Sequence, residues 1–162
     1  EQTNIEKSPE LIEEILGECI ANFKKRNSDV NLKVTIPDEP LMVNVDAMLI
    51  EQVIMNLLDN AAKHAEGMTE LRLDVKCSGS RALVSVADDG AGLDPAIIPV
   101  LFRGQIDPAD GKSYDSNRFR GIGLAACQAI VTAHGGTISA ANRPEGGAVF
   151  SFTIPLEEEK EE

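Results

Sequence analysis

The stretch EQVIMNLLDNAAKHAEG, residues 51–67, decides how this chain is read. Val53, Ile54, Leu57, Leu58, Ala61 and Ala62 recur at helical spacing and form one apolar face. Asp46 stands where a cap would open this helix, and Gly67 where a glycine would end it. The opposite stripe runs Gln52, Asn56, Asn60, His64, each four residues from the last. Asparagine costs a helix roughly half a kcal/mol against alanine, and a solvated face more usually carries Glu or Lys. A side-chain amide is a neutral oxygen ligand, and Mg²⁺ takes few protein ligands, filling the rest with phosphate oxygens and water. Asn56, Asn60 and Lys63 on one stripe can therefore grip a Mg²⁺–triphosphate. An exposed face with two incidental asparagines accounts for the stripe equally well.

On either side of this helix the pattern alternates between helix and strand. Ser8-Pro9-Glu10 reads as the opening of a first helix, which continues through ELIEEILGECIANFKKR. LKVTIP and MVNVD are short extended pieces. ELRLDVKCS and RALVSVADD form a hairpin through Gly79-Ser80. A short helix is expected within residues 94–102, and a Gly-, Asp-, Ser- and Arg-rich loop over 103–121. GLAACQAIVTAHGG is a third helix, and TISAANR with AVFSFTIP a second hairpin around Pro144-Glu145-Gly146-Gly147. Three helices and about five strands predict an α/β sandwich: a mixed, mostly antiparallel sheet with the helices on one face.

The 162 residues suit one domain with a sizeable core, and aromatics at 4% make that core aliphatic. A net charge of −12 argues against nucleic acid or an anionic membrane as partner. A phosphate-bearing ligand must then be held by local cations, backbone N–H groups or a metal. Cys19, Cys77 and Cys127 are read as buried free thiols. No run approaches the roughly 18 apolar residues of a membrane span. The chain opens on polar residues without Met and reads as a piece of a longer protein.

Two further stretches carry chemistry. In VSVADDGAGLDP, residues 84–95, a strand ends at Asp88 and Asp89-Gly90-Ala91-Gly92 turns sharply. A carboxylate there can accept from the exocyclic amine of adenine and would repel the carbonyl of guanine; a plain Asp-Gly turn is the simpler alternative. In RFRGIGLAAC, residues 118–127, Gly121 and Gly123 lead into a helix whose N–H groups suit an anion, with Arg118 and Arg120 upstream. A capped helix start explains that stretch as well. Gly111-Lys112-Ser113 imitates the end of a P-loop, but Ile106 stands where its first glycine belongs.

Taken in order, NLLDNAAKH, DDGAGL, GIGLAAC and PEGGAVFSF strongly resemble the asparagine box, the two glycine boxes and the closing strand of bacterial sensor histidine kinase catalytic domains. These belong to the gyrase/Hsp90/MutL-like ATPase superfamily, with the Bergerat-type fold. VDAMLIEQVIMNLLDNAAKH and ANRPEGGAVFSFTIP further resemble the potassium-responsive Kdp-type sensor kinases. The resemblance implies ATP and Mg²⁺ as cofactors, with Asn60 as the metal ligand and Asn56 and Lys63 as catalytic groups at the phosphates. It places His64 against the nucleotide, Asp88 on the adenine amine, and Gly90 and Gly92 around that pocket. Arg118 and Arg120, at the end of a lid over 103–120, and Gly121, Gly123 and Leu124 after it fall at the triphosphate. Residues 1–8 would be a flexible remnant, 9–156 the catalytic domain and 157–162 a disordered acidic tail.

The implied partners are a helical dimerisation and phosphoacceptor domain, from the same or a sister subunit, and a downstream response regulator. Nucleic acid and membrane contact are not implied for this piece, which would be a cytoplasmic domain of an inner-membrane sensor. Hydrolysing relatives carry Glu where this chain has Asn56, and an amide takes no proton at neutral pH. Ala125 replaces a glycine of the second box, and only Leu101-Phe102-Arg103 remains of a phenylalanine segment. The two histidines, His64 and His134, lie outside any helical-hairpin phosphoacceptor segment. The alternatives are a hydrolysing ATPase of the same superfamily and a nucleotide-binding interaction module without catalysis.

Overall fold

Alternation along two strands sets the sheet. In β4 (Leu71–Ser78) and β5 (Arg81–Asp88), Leu71, Leu73 and Val75 and then Ala82, Val84 and Val86 point into the core. The two pair antiparallel from Leu71↔Asp88 to Ser78↔Arg81 across a two-residue turn, where Gly79 holds a φ of 63°. A computed structural model describes residues 5–64, 67–103 and 115–157 of the chain. The remaining elements are β1 (Ser8–Leu11), α1 (Ile12–Arg26), β2 (Leu32–Thr35), β3 (Met42–Val45), α2 (Ala47–His64), a 3₁₀ turn (Ile98–Val100), α3 (Asp115–Ala133), β6 (Ile138–Asn142) and β7 (Ala148–Pro155).

The main sheet has five strands in the order β2-β4-β5-β7-β6, with β2 parallel to β4 and every other pair antiparallel. Helix α2 lies between α1 and α3 and packs on β5, while α3 packs on β6 and β7. Its buried face, Ile50, Val53, Ile54, Leu57 and Leu58, is the apolar stripe of the sequence. Asp46 caps it as expected: its carbonyl accepts from Ile50 N–H at 3.0 Å and its carboxylate from Leu49 N–H at 3.4 Å. The sandwich of a mixed, mostly antiparallel five-stranded sheet and three helices is thus the observed architecture.

Three local expectations change. Ser8-Pro9-Glu10 does not open α1; it lies in β1, which pairs with β3 as a separate two-stranded sheet, Pro9 opposite Asn44. Proline has no N–H to lose at such an edge, and the first N–H of α1, that of Ile12, is instead taken by Leu41 O at 3.0 Å. Helix α3 begins at Asp115, so residues 115–121 are helical and not loop. Glycine costs a helix about 1 kcal/mol without forbidding it, so Gly121 and Gly123 sit inside α3 and not at its start. Cys77 is exposed, at the end of β4, and only Cys19 and Cys127 are buried. The P-loop imitation and most of the lid fall outside the described residues.

Candidate functional site

The end of β5 is the most closely determined part of the site. Asp88 is only 5% exposed, and its Oδ1 accepts from Gly90 N–H at 2.9 Å and Ala148 N–H at 3.3 Å. Two backbone donors hold the carboxylate where β5 meets β7. Its carbonyl accepts from the Arg143 guanidinium at 2.7 Å. Gly147, at φ 92°, passes so near that a Cβ would stand 1.9 Å from Asp88 O. Asn142 fastens the far side of the turn, accepting from Leu93 N–H at 2.7 Å and donating to Leu93 O at 2.8 Å. Gly92, at φ 85°, leaves room for that amide; a Cβ there would lie 2.9 Å from Asn142 Oδ1.

The neighbouring carboxylate has a different task. Asp89 accepts from Thr69 Oγ1, from Thr69 N–H at 2.7 Å and from Glu70 N–H at 3.0 Å. The Thr69 hydroxyl, followed by the two amides, lowers its pKa to about 2. Asp89 therefore ties the turn to the entry of β4, while among the described residues the Asp88 carboxylate accepts hydrogen bonds from the two amides alone.

The second half of the site lies between α2 and α3, which run antiparallel. At one end, His134 is 4% exposed; its Nε2 accepts from Asp46 N–H at 3.1 Å, and its Nδ1–H meets Ile130 O at 2.8 Å. Farther along, the Asn56 amide donates to Cys127 Sγ at 3.6 Å. One turn beyond, Asn60 is half-buried, and on α3 a Cβ at Gly123 would meet open space. Lys63 is exposed, and Leu124 is buried beneath this end of α3. Asn56 of the stripe thus borders the groove between two helices, while Gln52 is exposed. The side chains of His64, Arg118 and Arg120 lie outside the described residues.

Glu51 stands on the other side of α2, where Cys19 Sγ–H donates to its carbonyl at 3.7 Å. Burial, then the charges of Glu18 and Glu10, raises its carboxyl pKa. It cannot act as a base beside Asn56. Leu101 is buried, and the Phe102 ring meets Phe150 edge to face at 6.5 Å, so the shortened phenylalanine segment is anchored on β7.

Residues 45–158 match the family described as histidine kinase-, DNA gyrase B-, and HSP90-like ATPase. The chain belongs to this family. It is 39% identical over 155 residues to the sensor protein KdpD of Clostridium acetobutylicum, covering 96% of this chain and 17% of that protein. Identity to the KdpD of Escherichia coli K12 is 37% over 153 residues, covering 94% of this chain and 17% of the relative. The nucleotide-free catalytic domain of histidine kinase ThkA superposes with a TM-score of 0.76 at 26% identity, over 93% of this chain and 96% of that one. The chain is thus a histidine-kinase-type ATPase domain, spanning less than a fifth of the length of these sensor proteins. Asn142, Arg143 and Gly147 were not singled out from the sequence as site residues. Their signal there was only the hairpin tip NRPEGG, whose approach to Asp88 no local spacing reveals.

Proposed function

We propose that this domain binds Mg²⁺·ATP between the β5 turn and the α2–α3 cleft. In the longer protein it would donate the γ-phosphoryl to a histidine on a separate helical dimerisation domain, in Kdp-type potassium or osmotic signalling. The observation that carries the reading is the pairing of a buried, backbone-aimed carboxylate with an amide stripe on the adjoining helix. Asp88 would accept from the adenine amine and repel the guanine carbonyl. Asn60 would supply an amide oxygen to the metal, Lys63 would contact phosphate, and Asn56 would stand beside the phosphates as an acceptor for the metal's bound water. The metal would neutralise phosphate charge, so the protein's share is positioning. The donor set fits: among the described residues no three His, Cys, Asp or Glu side chains cluster, and a lone amide oxygen suits a cation whose other ligands are phosphate and water.

An amide at Asn56, with Glu51 facing α1, leaves no base for water on this stretch of α2, so hydrolysis should be slow. His134 has both ring nitrogens engaged inside the fold, which supports an acceptor histidine outside this chain. A response regulator would then take the phosphoryl group from it. Among the described residues no helix is long and apolar enough to cross a membrane, which is compatible with a cytoplasmic domain of a membrane sensor.

The test is a calorimetric titration of the domain with ATP, with and without Mg²⁺, repeated with GTP. Mg²⁺-enhanced binding of ATP over GTP is expected; equal affinities for the two nucleotides would overturn the assignment of Asp88. Joining the domain to its helical partner should yield phosphohistidine. Tight ATP binding without it would favour the interaction-module alternative.

A further inference from the structure

Cys127 of α3 is fully buried and reaches into the notch between Val53 and Asn56, three residues apart on α2. Its Sγ lies 3.9 Å from Val53 O and 3.6 Å from Asn56 Nδ2. A thiol has one weak donor and weakly accepting lone pairs, whereas a carbonyl only accepts. The thiol proton therefore goes to Val53 O, and the sulfur has only lone pairs left for Asn56. An amide answers a lone pair with its NH₂ group, which turns its carbonyl oxygen away from the sulfur.

We propose that Cys127 is a positioning residue that sets the flip of the Asn56 amide, so that Oδ1 and not the NH₂ group faces the metal–phosphate side of the cleft. The inference rests on the reading of the site given above. Asparagine alone does not choose between its two flips, since oxygen and NH₂ are nearly isosteric. A cleft that must present an acceptor to a cation or to its bound water needs one flip excluded. Burial raises the Cys127 pKa to about 11, the Asn56 bond acting the other way, so the group is a thiol throughout the neutral range. The same burial makes it a poor target for oxidation or alkylation, which suits a positioning role.

Serine can donate to Val53 O and accept from Asn56 at once; alanine and valine can do neither. The domain and its Cys127→Ser, Cys127→Ala and Cys127→Val variants are titrated with ATP with and without Mg²⁺. Hydrogen exchange of the Asn56 side-chain amide is followed by ¹⁵N NMR, with Asn56→Ala assigning the signal. In Cys127→Ala the Mg²⁺-dependent gain in affinity should fall by about fivefold, the worth of one oriented hydrogen bond. Mg²⁺-free affinity should stay within about twofold, and the Asn56 amide should exchange faster. Cys127→Ser should hold both properties. Cys127→Val fills the space without accepting and should repeat the alanine result even if the alanine protein folds poorly.

Three titration results would overturn the proposal: an unchanged Mg²⁺ gain in both apolar variants, equal weakening with and without Mg²⁺, or a serine variant as impaired as alanine. If the parent shows no Mg²⁺ gain, the nucleotide reading fails instead. Amide exchange that is the same in all four proteins would refute the positioning role on its own.

Discussion

The two ends of the site are built on different principles. At the base end, Asp88 and the turn after it are held by backbone amides, the Arg143 guanidinium and the paired amide of Asn142, all meeting at strand ends. At the end read as the phosphate site, single side chains of α2 stand beside α3, and the contact holding Asn56 is a weak bond to sulfur. On the proposed reading, recognition of the base would be a property of the fold itself. Grip on the metal and phosphates would belong to a few side chains whose loss should leave the fold standing. Variants at the base end should disturb stability and nucleotide together, and variants at the phosphate end nucleotide alone.

The largest effect should come from Gly147→Ala. The new methyl would meet Asp88 O at 1.9 Å from a residue at φ 92°, costing about 3 kcal/mol or more in urea unfolding and abolishing ATP binding. Gly136→Ala is the control: its Cβ would meet Thr153 O at 1.8 Å, away from the base turn. It should destabilise without a specific effect on nucleotide choice. A freely folding Gly147→Ala protein would break the comparison at its root.

Next comes Asp88→Ala. Loss of a charged acceptor should weaken ATP binding by about tenfold to a hundredfold and erase the preference over GTP in calorimetry. At the other end, Asn60→Ala should remove the Mg²⁺-dependent part of ATP affinity. Its unfolding free energy should stay within about 0.5 kcal/mol of the parent, as for a half-buried surface position. A large loss of stability there would mean that the phosphate end is structural as well.

The smallest effect concerns acid. The Asp89 pKa is lowered from 3.8 to about 2, so the bonds to its carboxylate stabilise the fold above about pH 4. That contribution is lost as the pH falls toward 2. Thr69→Val removes the hydroxyl that contributes most to the shift. The Asp89 pKa should then rise toward 3.8, seen in carboxyl ¹³C titration, and acid unfolding should begin at a higher pH.

Much of this was legible in the chain. The apolar stripe of α2, the β4–β5 and β6–β7 hairpins and the Asp46 cap follow from periods of 3.6 and 2 and from local capping chemistry. Each depends on residues within a turn or a strand of one another. Local rules failed where a distant segment outbid them. Ser8-Pro9 looks like a helix start, yet its backbone pairs with β3 more than thirty residues away. Gly121 and Gly123 look like a helix boundary, yet α3 runs through both.

The sequence by itself determined which residue types the site could use: amides at 56 and 60, a carboxylate at 88, and no glutamate base at 56. It also determined the family, because those residues lie in a fixed order within recognisable boxes. Only the tertiary structure decided what each one faces. Asn56 meets a thiol 71 positions away, the Asp88 carboxylate is aimed by an amide 60 positions away, and His134 closes onto Asp46 88 positions away. Such contacts are set by how the sheet and helices pack, and packing between segments far apart in the chain leaves no period or spacing behind.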